Sequence, residues 1–533
     1  MTEFSDPIIR RALITLYNKQ GVLELAAVLQ QQGVELISTG GTAQLLRGSG
    51  YLVTEIADYT KYPEMMGGRV KTLHPKIHGA ILGRRGQDDS VMTEQEILPI
   101  DLVIANFYPF VQTIDDPNHT RQQAIEQIDI GGPTLVRAAA KNHAAVAVVV
   151  DPQDYPQLIN WLQQQQGALT LQQRFMLASK ALVTIANYDC AIADYFSRQV
   201  TVKIADDSQL APLPQFPEIP RLPFQRPKLL RYGENPHQPA ALYQTGLSTT
   251  IGVAQAQQQQ GKPLSYNNWL DADSAFTCIF PFEQPACAIV KHTNPCGVAV
   301  SDSLLTAYQR AFQCDPSAAF GGIIAVNRPV TLEVAEAMLQ QFVEVIIAPA
   351  FASEALQRFA RKPNIRLLAC DKILPASAPS LEYKSISGGL LVQVSDQGSW
   401  QSAQLQVVSQ RQPSDSEWAD AQFAWQIAKC VKSNAMVIAS QQTTLGIGAG
   451  QVSRIDATQL AIHKAQQADL SLKGAVLAAD AFLPFRDNVD TAAEAGITCI
   501  IQPGGSRRDA EVIQAADQRS ITMIFTGMRH FRH

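Results

Sequence analysis

Lys291-His292-Thr293-Asn294-Pro295-Cys296-Gly297 lies between the apolar runs 286–290 and 298–300 and decides how the larger part of the chain reads. An apolar run broken by Thr-Asn-Pro-Cys-Gly predicts a strand that delivers polar side chains into a turn at a sheet end, because Pro295 and Gly297 do not continue a central ladder. Successive strand residues point to opposite faces, so Lys291 and His292 can serve one ligand only if the strand twists or ends there. An imidazole, with a reference pKa near ~6.5, takes up a proton at neutral pH, while an ammonium near ~10.4 stays charged and stabilises a developing oxyanion. The pair suits acyl transfer. A histidine in a satisfied turn beside a solvated lysine is the alternative that the residue types alone leave open.

The surroundings of this stretch look doubled. Ile289-Val290-Lys291-His292-Thr293-Asn294 has a counterpart in Cys430-Val431-Lys432-Ser433-Asn434. Gly322-Ile323-Ile324-Ala325 ahead of Val345-Ile346-Ile347-Ala348-Pro349 parallels Ala475-Val476-Leu477-Ala478 ahead of Cys499-Ile500-Ile501-Gln502-Pro503. Two related α/β lobes are expected. The first carries the histidine, and the second lends binding groups, Asn434 in particular.

A chain of 533 residues exceeds a single core and implies several packed units. With 46% hydrophobic and 17% charged residues it has the composition of a soluble globular enzyme. A net charge of -5 supplies no basic field, so no nucleic-acid partner is expected. Asp6, Arg10, Arg11 and Lys19 interrupt the N-terminus, which argues against a signal peptide or a membrane span and for a cytoplasmic location. The eight cysteines are widely spaced without a Cys-x-x-Cys, so reduced, mostly buried thiols are expected.

Ahead of residue 200, strand patterns at 12–17, 34–38, 102–106 and 144–150 alternate with helical patterns at 22–31, 43–47, 134–141, 157–165 and 171–198. This alternation implies a mainly parallel sheet covered by helices, with ligands at the strand C-termini. Ser38-Thr39-Gly40-Gly41-Thr42 offers hydroxyls and free amides at a helix start, which suits a phosphate; a plain Thr N-cap accounts for it equally well. Gly131-Gly132-Pro133 opens a second such helix, and Lys141 at its end is also explained as a cation on the negative end of the dipole. Six prolines between 212 and 227 mark an extended connector, giving domains at 1–200 and 229–533 with a linker at 201–228. The runs Gln163 to Gln166 and Gln257 to Gln260 read as solvated surface.

Taken together, Thr39-Gly40-Gly41-Thr42, Gly68-Arg69-Val70-Lys71-Thr72-Leu73-His74-Pro75, Asn106-Phe107-Tyr108-Pro109-Phe110 and Ile128-Asp129-Ile130-Gly131-Gly132, followed by Ala138-Ala139-Ala140-Lys141-Asn142-His143, resemble the IMP cyclohydrolase domain of the PurH family of bifunctional purine-synthesis enzymes. Leu230-Arg231-Tyr232-Gly233-Glu234-Asn235-Pro236-His237-Gln238 and Lys291-His292-Thr293-Asn294-Pro295 resemble the AICAR formyltransferase part of the same family. The resemblance implies an α/β fold: a methylglyoxal-synthase-like parallel-sheet domain, then duplicated cytidine-deaminase-like lobes. It also implies formyl transfer from 10-formyltetrahydrofolate to AICAR, giving FAICAR, and closure of FAICAR to IMP with loss of water, in a homodimer.

Carried over by resemblance, Lys19, Thr39, Gly40, Gly41, Thr42, Arg69, Thr72 and Asn106 hold the nucleotide of the cyclohydrolase, and Lys71, Tyr108, Asp129 and Lys141 flank the closing ring. Lys291 and His292 carry formyl transfer. Arg231, Tyr232, Gly321, Glu344, Asn434 and Arg454 hold AICAR, and Phe482, Asp487, Gly504, Gly505 and Arg529 line the folate site, although Phe482 also reads as plain core. Zinc is not expected, since Pro295-Cys296 is followed by Gly297-Val298-Ala299 rather than a deaminase Cys-x-x-Cys, and no His-x-Glu occurs. Two departures from the family pattern stand out: Tyr17 replaces a small phosphate-contacting Ser, and Glu344 replaces an Asp.

Overall fold

The computed structural model describes residues 6–203, 224–245, 252–370 and 381–533. The chain divides into two compact units, Met1–Arg221 and Leu222–His533. Among the described residues no helix is long and apolar enough to cross a membrane. None of the eight cysteines forms a disulfide, and all but Cys190 are buried.

The first unit is built on β1 (Arg11–Thr15), β2 (Glu35–Ser38), β3 (Val53–Glu55), β4 (Leu102–Ala105) and β5 (Ala147–Val149), parallel throughout in the order β3-β2-β1-β4-β5. Side-chain alternation splits its core. Leu13, Ile37 and Val103 pack against helices Gly131–Lys141 and Leu171–Lys203, whereas Ile14, Leu36 and Ile104 pack against helices Val22–Gln31 and Tyr155–Gln164. A sheet covered on both faces explains why its strands are apolar at nearly every position.

Two boundaries differ from the sequence reading. The long helix continues to Lys203, past the expected boundary at 200. Most of the proline-rich connector lies outside the described residues, but its end is a strand: β6 (Phe224–Leu229) pairs with β7 (Ala241–Thr245). Their register shifts between Gln225 and Lys228, where Pro227 donates nothing to the ladder.

The second unit carries a twelve-stranded sheet. Its first half holds β8 (Gln257–Gln260), β9 (Ala286–Lys291), β10 (Asn294–Val300), β11 (Ile323–Val326), β12 (Val345–Ala348) and β13 (Arg366–Ala369). A separate hairpin, β14 (Leu381–Ile386) and β15 (Gly389–Val394), precedes the second half: β16 (Gln406–Val407), β17 (Met436–Ser440), β18 (Thr443–Gly448), β19 (Val476–Ala479), β20 (Cys499–Gln502) and β21 (Thr522–Phe525). The order, β16-β21-β20-β19-β17-β18-β10-β9-β11-β12-β13-β8, reads symmetrically outward from the antiparallel β18–β10 seam. The duplication is therefore a property of the topology.

Helices follow the same symmetry. Tyr266–Ile279 and Asp415–Ala428 each start from a serine capping box, Ser265 with Asn268 and Ser414 with Glu417, and both contribute to one core on a single face of the sheet. On the other face each half keeps its own core, under helix Leu304–Cys314 in the first and Arg454–Gln467 in the second.

Three expectations are corrected here. The topological partner of Lys291-His292 is Ser440-Gln441, at the end of β17; the segment 430–434 precedes β17 instead. An apolar stretch followed by Lys and then, two or three residues on, Asn occurs at both places, once leaving a strand and once approaching one, and a local pattern does not separate the two. Second, Pro295 and Gly297 lie inside β10. Pro295 opposes Val290, the register then shifts so that Cys296 is the extra residue, and pairing to β18 begins further along, so no ladder bond needs the missing proline N–H. Gly297 is required because a Cβ there would run into the backbone carbonyl of Ala311, and Gly446 stands in the same relation to Ala461. Third, Gln257 to Gln260 lie at the surface as expected, with Gln257 and Gln259 exposed, but they also form the edge strand β8, with Gln260 Nε2 donating to the carbonyls of Phe359, Lys362 and Ile365.

Candidate active sites

In the first unit the C-terminal ends of β1, β2 and β4 meet. Thr42 Oγ1 donates to Leu16 O (3.0 Å) and accepts from Leu16 N (3.1 Å), and Asn106 Oδ1 accepts from the amides of Tyr17 (2.7 Å) and Asn18 (2.9 Å). These bonds hold the loops in place. Helix Gly40–Gly48 starts three residues earlier than its apolar pattern suggests, and Thr39 makes no side-chain cap. Among the described contacts the Gly40 and Gly41 amides have no acceptor. A Cβ built at Gly40 would lie 3.6 Å from Lys71 Nζ, and one at Gly41 would lie 3.9 Å from Lys19 Nζ. Unpaired N–H groups at a helix start, flanked by two ammonium groups, form a cradle for an anion.

Next to this cradle, the Tyr17 and Tyr108 rings meet edge to face at 6.1 Å. Asp129 accepts from Gly132 N at 2.8 Å, and a Cβ at Gly131 would lie 2.8 Å from Thr72 Oγ1. Burial pushes the Asp129 carboxyl above its usual range, against the backbone donors of Gly132, Tyr108 and Gly131. Arg69 pairs with Glu126, and Lys71 pairs with Glu64 at 3.1 Å. Lys141 does not join this group. It is exposed at the far end of helix Gly131–Lys141, about 15 Å along the axis from Gly131, where a cation complements the helix dipole.

In the second unit strand directions define a rim. β9, β18, β19, β20 and β21 end there, while β10, β11, β12, β13 and β17 start there. Strand β9 ends at Lys291. His292 and Thr293 then take φ of 53° and 62°, the two left-handed residues of a type I′ hairpin turn. Each such residue costs about 1–2 kcal/mol for an L-amino acid. The Asp271 carboxylate answers that cost by accepting from His292 N (3.1 Å) and Thr293 N (2.6 Å), and a charged acceptor contributes roughly 1.5 kcal/mol per bond at the lower end of its range. Lys291 Nζ donates to Phe320 O (2.9 Å), beside Gly321, whose amide donates to Phe342 O (2.8 Å). The strand thus ends where the pair requires it to, with His292 exposed.

Other predicted residues lie along the same rim. The Arg231 guanidinium lies 4.8 Å over the Tyr232 ring, and their loop is tied to helix Tyr266–Ile279 through Asn267 Nδ2 and Glu234 O (3.2 Å). Glu344 is bound by Arg366 (3.0 Å) and Asn268 (3.3 Å). Across the seam, Asn294 Oδ1 accepts from Lys432 N (3.0 Å), and Asn434 donates to Gln451 O through its amide and side chain. Arg454 sits between the rings of Phe482 (5.6 Å) and Phe531 (5.9 Å), and Arg529 lies over Phe531 at 4.6 Å. Phe482 is therefore rim rather than core. Gly504 adopts φ 71° against the Phe525 ring, Gly505 N donates to Asp509 (2.7 Å), and Asp487 starts helix Asp487–Glu494. Lys291 on β9 and Asn434 ahead of β17 are three strand spacings apart, about 14 Å.

Sequence reasoning missed Asp480, Ser433 and Asp271. Asp480 is 1% exposed and accepts from Ser433 Oγ at 2.5 Å; among the described residues its Oδ1 has no partner, and neither has the buried Nε of Arg454. Asp271 had a readable signal: Ser265, Asn268, Asp271 and Ser414, Glu417, Asp420 repeat one spacing. Two cavities of about 320 and 440 Å³ lie elsewhere, one near Phe342 and Arg361, the other near Arg85 and Pro99, and neither is lined by a predicted site residue.

Residues 21–134 match the model of the MGS-like domain, and residues 139–464 match that of the AICARFT/IMPCHase bienzyme. A solved structure described as "Crystal structure of ForH" aligns at 38% identity over 35% of this chain and 96% of its own, with a TM-score of 0.32. With a bienzyme match spanning more than half its length behind an MGS-like domain, the chain belongs to the AICARFT/IMPCHase bienzyme family of purine biosynthesis, and its activities are AICAR formyl transfer from a folate-type donor and IMP cyclohydrolysis.

Proposed function

We propose that the two activities occupy the two sites described, formyl transfer at the Lys291-His292 rim and ring closure at the Lys71–Asp129 cradle. The single observation that carries the first assignment is the hairpin turn that ends β9 and presents His292 to solvent beside a tethered Lys291 ammonium. The donor is 10-formyltetrahydrofolate. The 5-amino nitrogen of AICAR attacks the formyl carbon, His292 takes the proton released as the C–N bond forms, and Lys291 stabilises the tetrahedral oxygen. The C–N bond to folate then breaks, and that nitrogen leaves protonated.

Arg231, Tyr232, Gly321, Glu344, Asn434 and Arg454 hold AICAR, and Phe482, Asp487, Gly504, Gly505 and Arg529 hold the folate. A homodimer, as the family resemblance implies, is part of this reading. The partners are small molecules, AICAR, FAICAR/IMP and reduced folate, with no nucleic acid and no membrane, in the cytoplasm. No catalytic metal takes part.

At the cradle, Lys19, Thr39, Gly40, Gly41 and Thr42 bind the nucleotide phosphate, with Arg69, Thr72 and Asn106 bordering it. FAICAR folds so that its carboxamide nitrogen reaches the formyl carbon, Asp129 and Tyr108 flank the ring, and Lys71 donates as the formyl oxygen leaves as water. Lys141, placed at the opposite helix end, has no part in this reading.

The test separates the sites. In a folded His292→Ala protein, AICAR formylation is lost while added FAICAR is still converted to IMP, and Lys71→Ala gives the converse. Equal loss of both activities in either variant would sink the assignment.

A further inference from the structure

The hairpin turn that presents His292 has a twin. At the end of β17, Gln441 and Gln442 both take φ 51°, and the Asp420 carboxylate accepts from their amides at 2.9 and 2.7 Å. Asp271 and Asp420 occupy the same place, six residues into helices of equal length that start from equivalent serine caps. The chain has thus built one device twice. An aspartate on the first helix of each half clamps two left-handed, non-glycine residues in the hairpin that follows. Only one copy carries a titratable side chain at the turn, and the two turns lie on opposite edges of the sheet, because β9 and β17 run in opposite directions across the seam.

We infer that Asp271 is a positioning residue for formyl transfer: by binding both turn amides it fixes the backbone of His292, and so the imidazole, relative to Lys291 and the bound amine. The inference rests on the reading of His292 as the proton acceptor. Asp271 does not touch the substrate; its carboxylate is engaged with the amides. Two oxygens are needed, since an asparagine presents an acceptor to one N–H and an N–H to the other. Without the clamp the turn relaxes from φ values that His and the β-branched Thr adopt rarely, and the imidazole moves with it.

Three variants decide the matter, each assayed with AICAR and 10-formyltetrahydrofolate and checked by thermal unfolding. Asp271→Asn lowers kcat for formylation about 10- to 100-fold, the size of effect expected from roughly an ångström of misplacement, with KM for AICAR and conversion of FAICAR unchanged. Asp420→Asn breaks the same clamp in the other half, lowers the unfolding temperature comparably, and leaves formylation within about twofold, since that turn is a strand's length away. Adding Thr293→Gly to Asp271→Asn, so that the turn tolerates positive φ without its clamp, recovers part of kcat.

A kcat for Asp271→Asn within about twofold of the parent, or an equal kcat loss in Asp271→Asn and Asp420→Asn, overturns the inference. His292→Ala, run alongside, keeps the two ideas apart: an active His292→Ala removes the reading underneath, whereas an inactive one with matching aspartate variants removes only the positioning role.

Discussion

The two edges of the duplicated sheet are built from equivalent elements and have come to opposite states of polar satisfaction. On the rim, Lys291 and His292 end β9, Asp480 follows β19, Arg454 starts a helix and Asn434 precedes β17. On the far edge the topological partners are Ser440, Gln441, Asn327, Leu304 and Pro285. Both polar atoms of Asn327 are engaged: its Nδ2 donates to Phe282 O (2.9 Å) and Gln284 O (2.7 Å), and its Oδ1 accepts from Ala286 N (2.8 Å). Among the described residues Asp480, at the same station, leaves a buried oxygen unpaired, and Arg454 leaves a buried Nε unpaired. An unpaired buried polar group costs about 1–3 kcal/mol, so the far edge has settled into stability while the rim keeps a deficit that a bound ligand can relieve.

The largest expected effect tests whether the edges differ in chemistry at all. His292→Ala lowers AICAR formylation by about 10²–10⁴-fold, the usual contribution of a positioned proton acceptor. Gln441→Ala, its topological partner, leaves the rate unchanged in the same formylation assay. A loss from Gln441→Ala would mean that the far edge also carries reaction.

The next effect is expected to be equal on both edges, because it concerns only the shared frame. Gly297→Ala and Gly446→Ala each push a methyl into a helix carbonyl, of Ala311 and Ala461 respectively, and backbone cannot swing aside as a side chain can. Each costs about 3 kcal/mol in denaturant unfolding, the upper part of the range for overpacking. A difference of more than about 1 kcal/mol between them would show that the halves do not pack alike.

Much of this frame is legible in the chain. The strand–helix alternation of the first unit is readable because buried strands and amphipathic helices leave different periods, and the β11–β12 and β19–β20 pairs are readable as repeated apolar runs. The hairpin is not, since Pro295 and Gly297 look like strand breakers unless the bulge at Cys296 and the close approach of Ala311 are known. The true partner of Lys291-His292 is hidden for a related reason: Ser440-Gln441 shares its backbone and none of its side-chain chemistry. At the candidate sites, residue types at strand ends are legible, but distance along a helix is not weighed by a motif. Lys141 reads as a neighbour of Asp129 and lies a helix length away.

A smaller effect copies one far-edge residue onto the rim. Burial lifts the Asp480 carboxyl above its usual range, more than Ser433, the Ala435 backbone and Arg454 lower it. A carboxyl whose folded pKa is raised binds protons more tightly in the folded state, so stability declines as pH rises through the unfolded value, about 4, toward the folded one. Asp480→Asn is therefore expected to stabilise the protein by roughly 1 kcal/mol near pH 7, with the gain vanishing below about pH 4, and to weaken formylation. Unfolding at the two pH values checks the sign; a gain that persists in acid means that the charge is not its source.

The smallest expected effect is none. Placing Ser440→Lys and Gln441→His together on the far edge, in a His292→Ala background, recreates the proposed Lys-His pair on a turn of the same left-handed geometry with its own aspartate clamp. If a lysine, a histidine and a hairpin sufficed, formylation would return. It should not, because Leu304 and Pro285 stand where Arg454 and Asn434 would be needed, and Asn327 is buried with both of its polar atoms already engaged by backbone. General base help multiplies a rate only after the amine and the formyl carbon have been brought into line, and on that edge nothing holds either. Formylation above the His292→Ala background would place the specificity of the enzyme in the turn alone and remove the reason for contrasting the two edges.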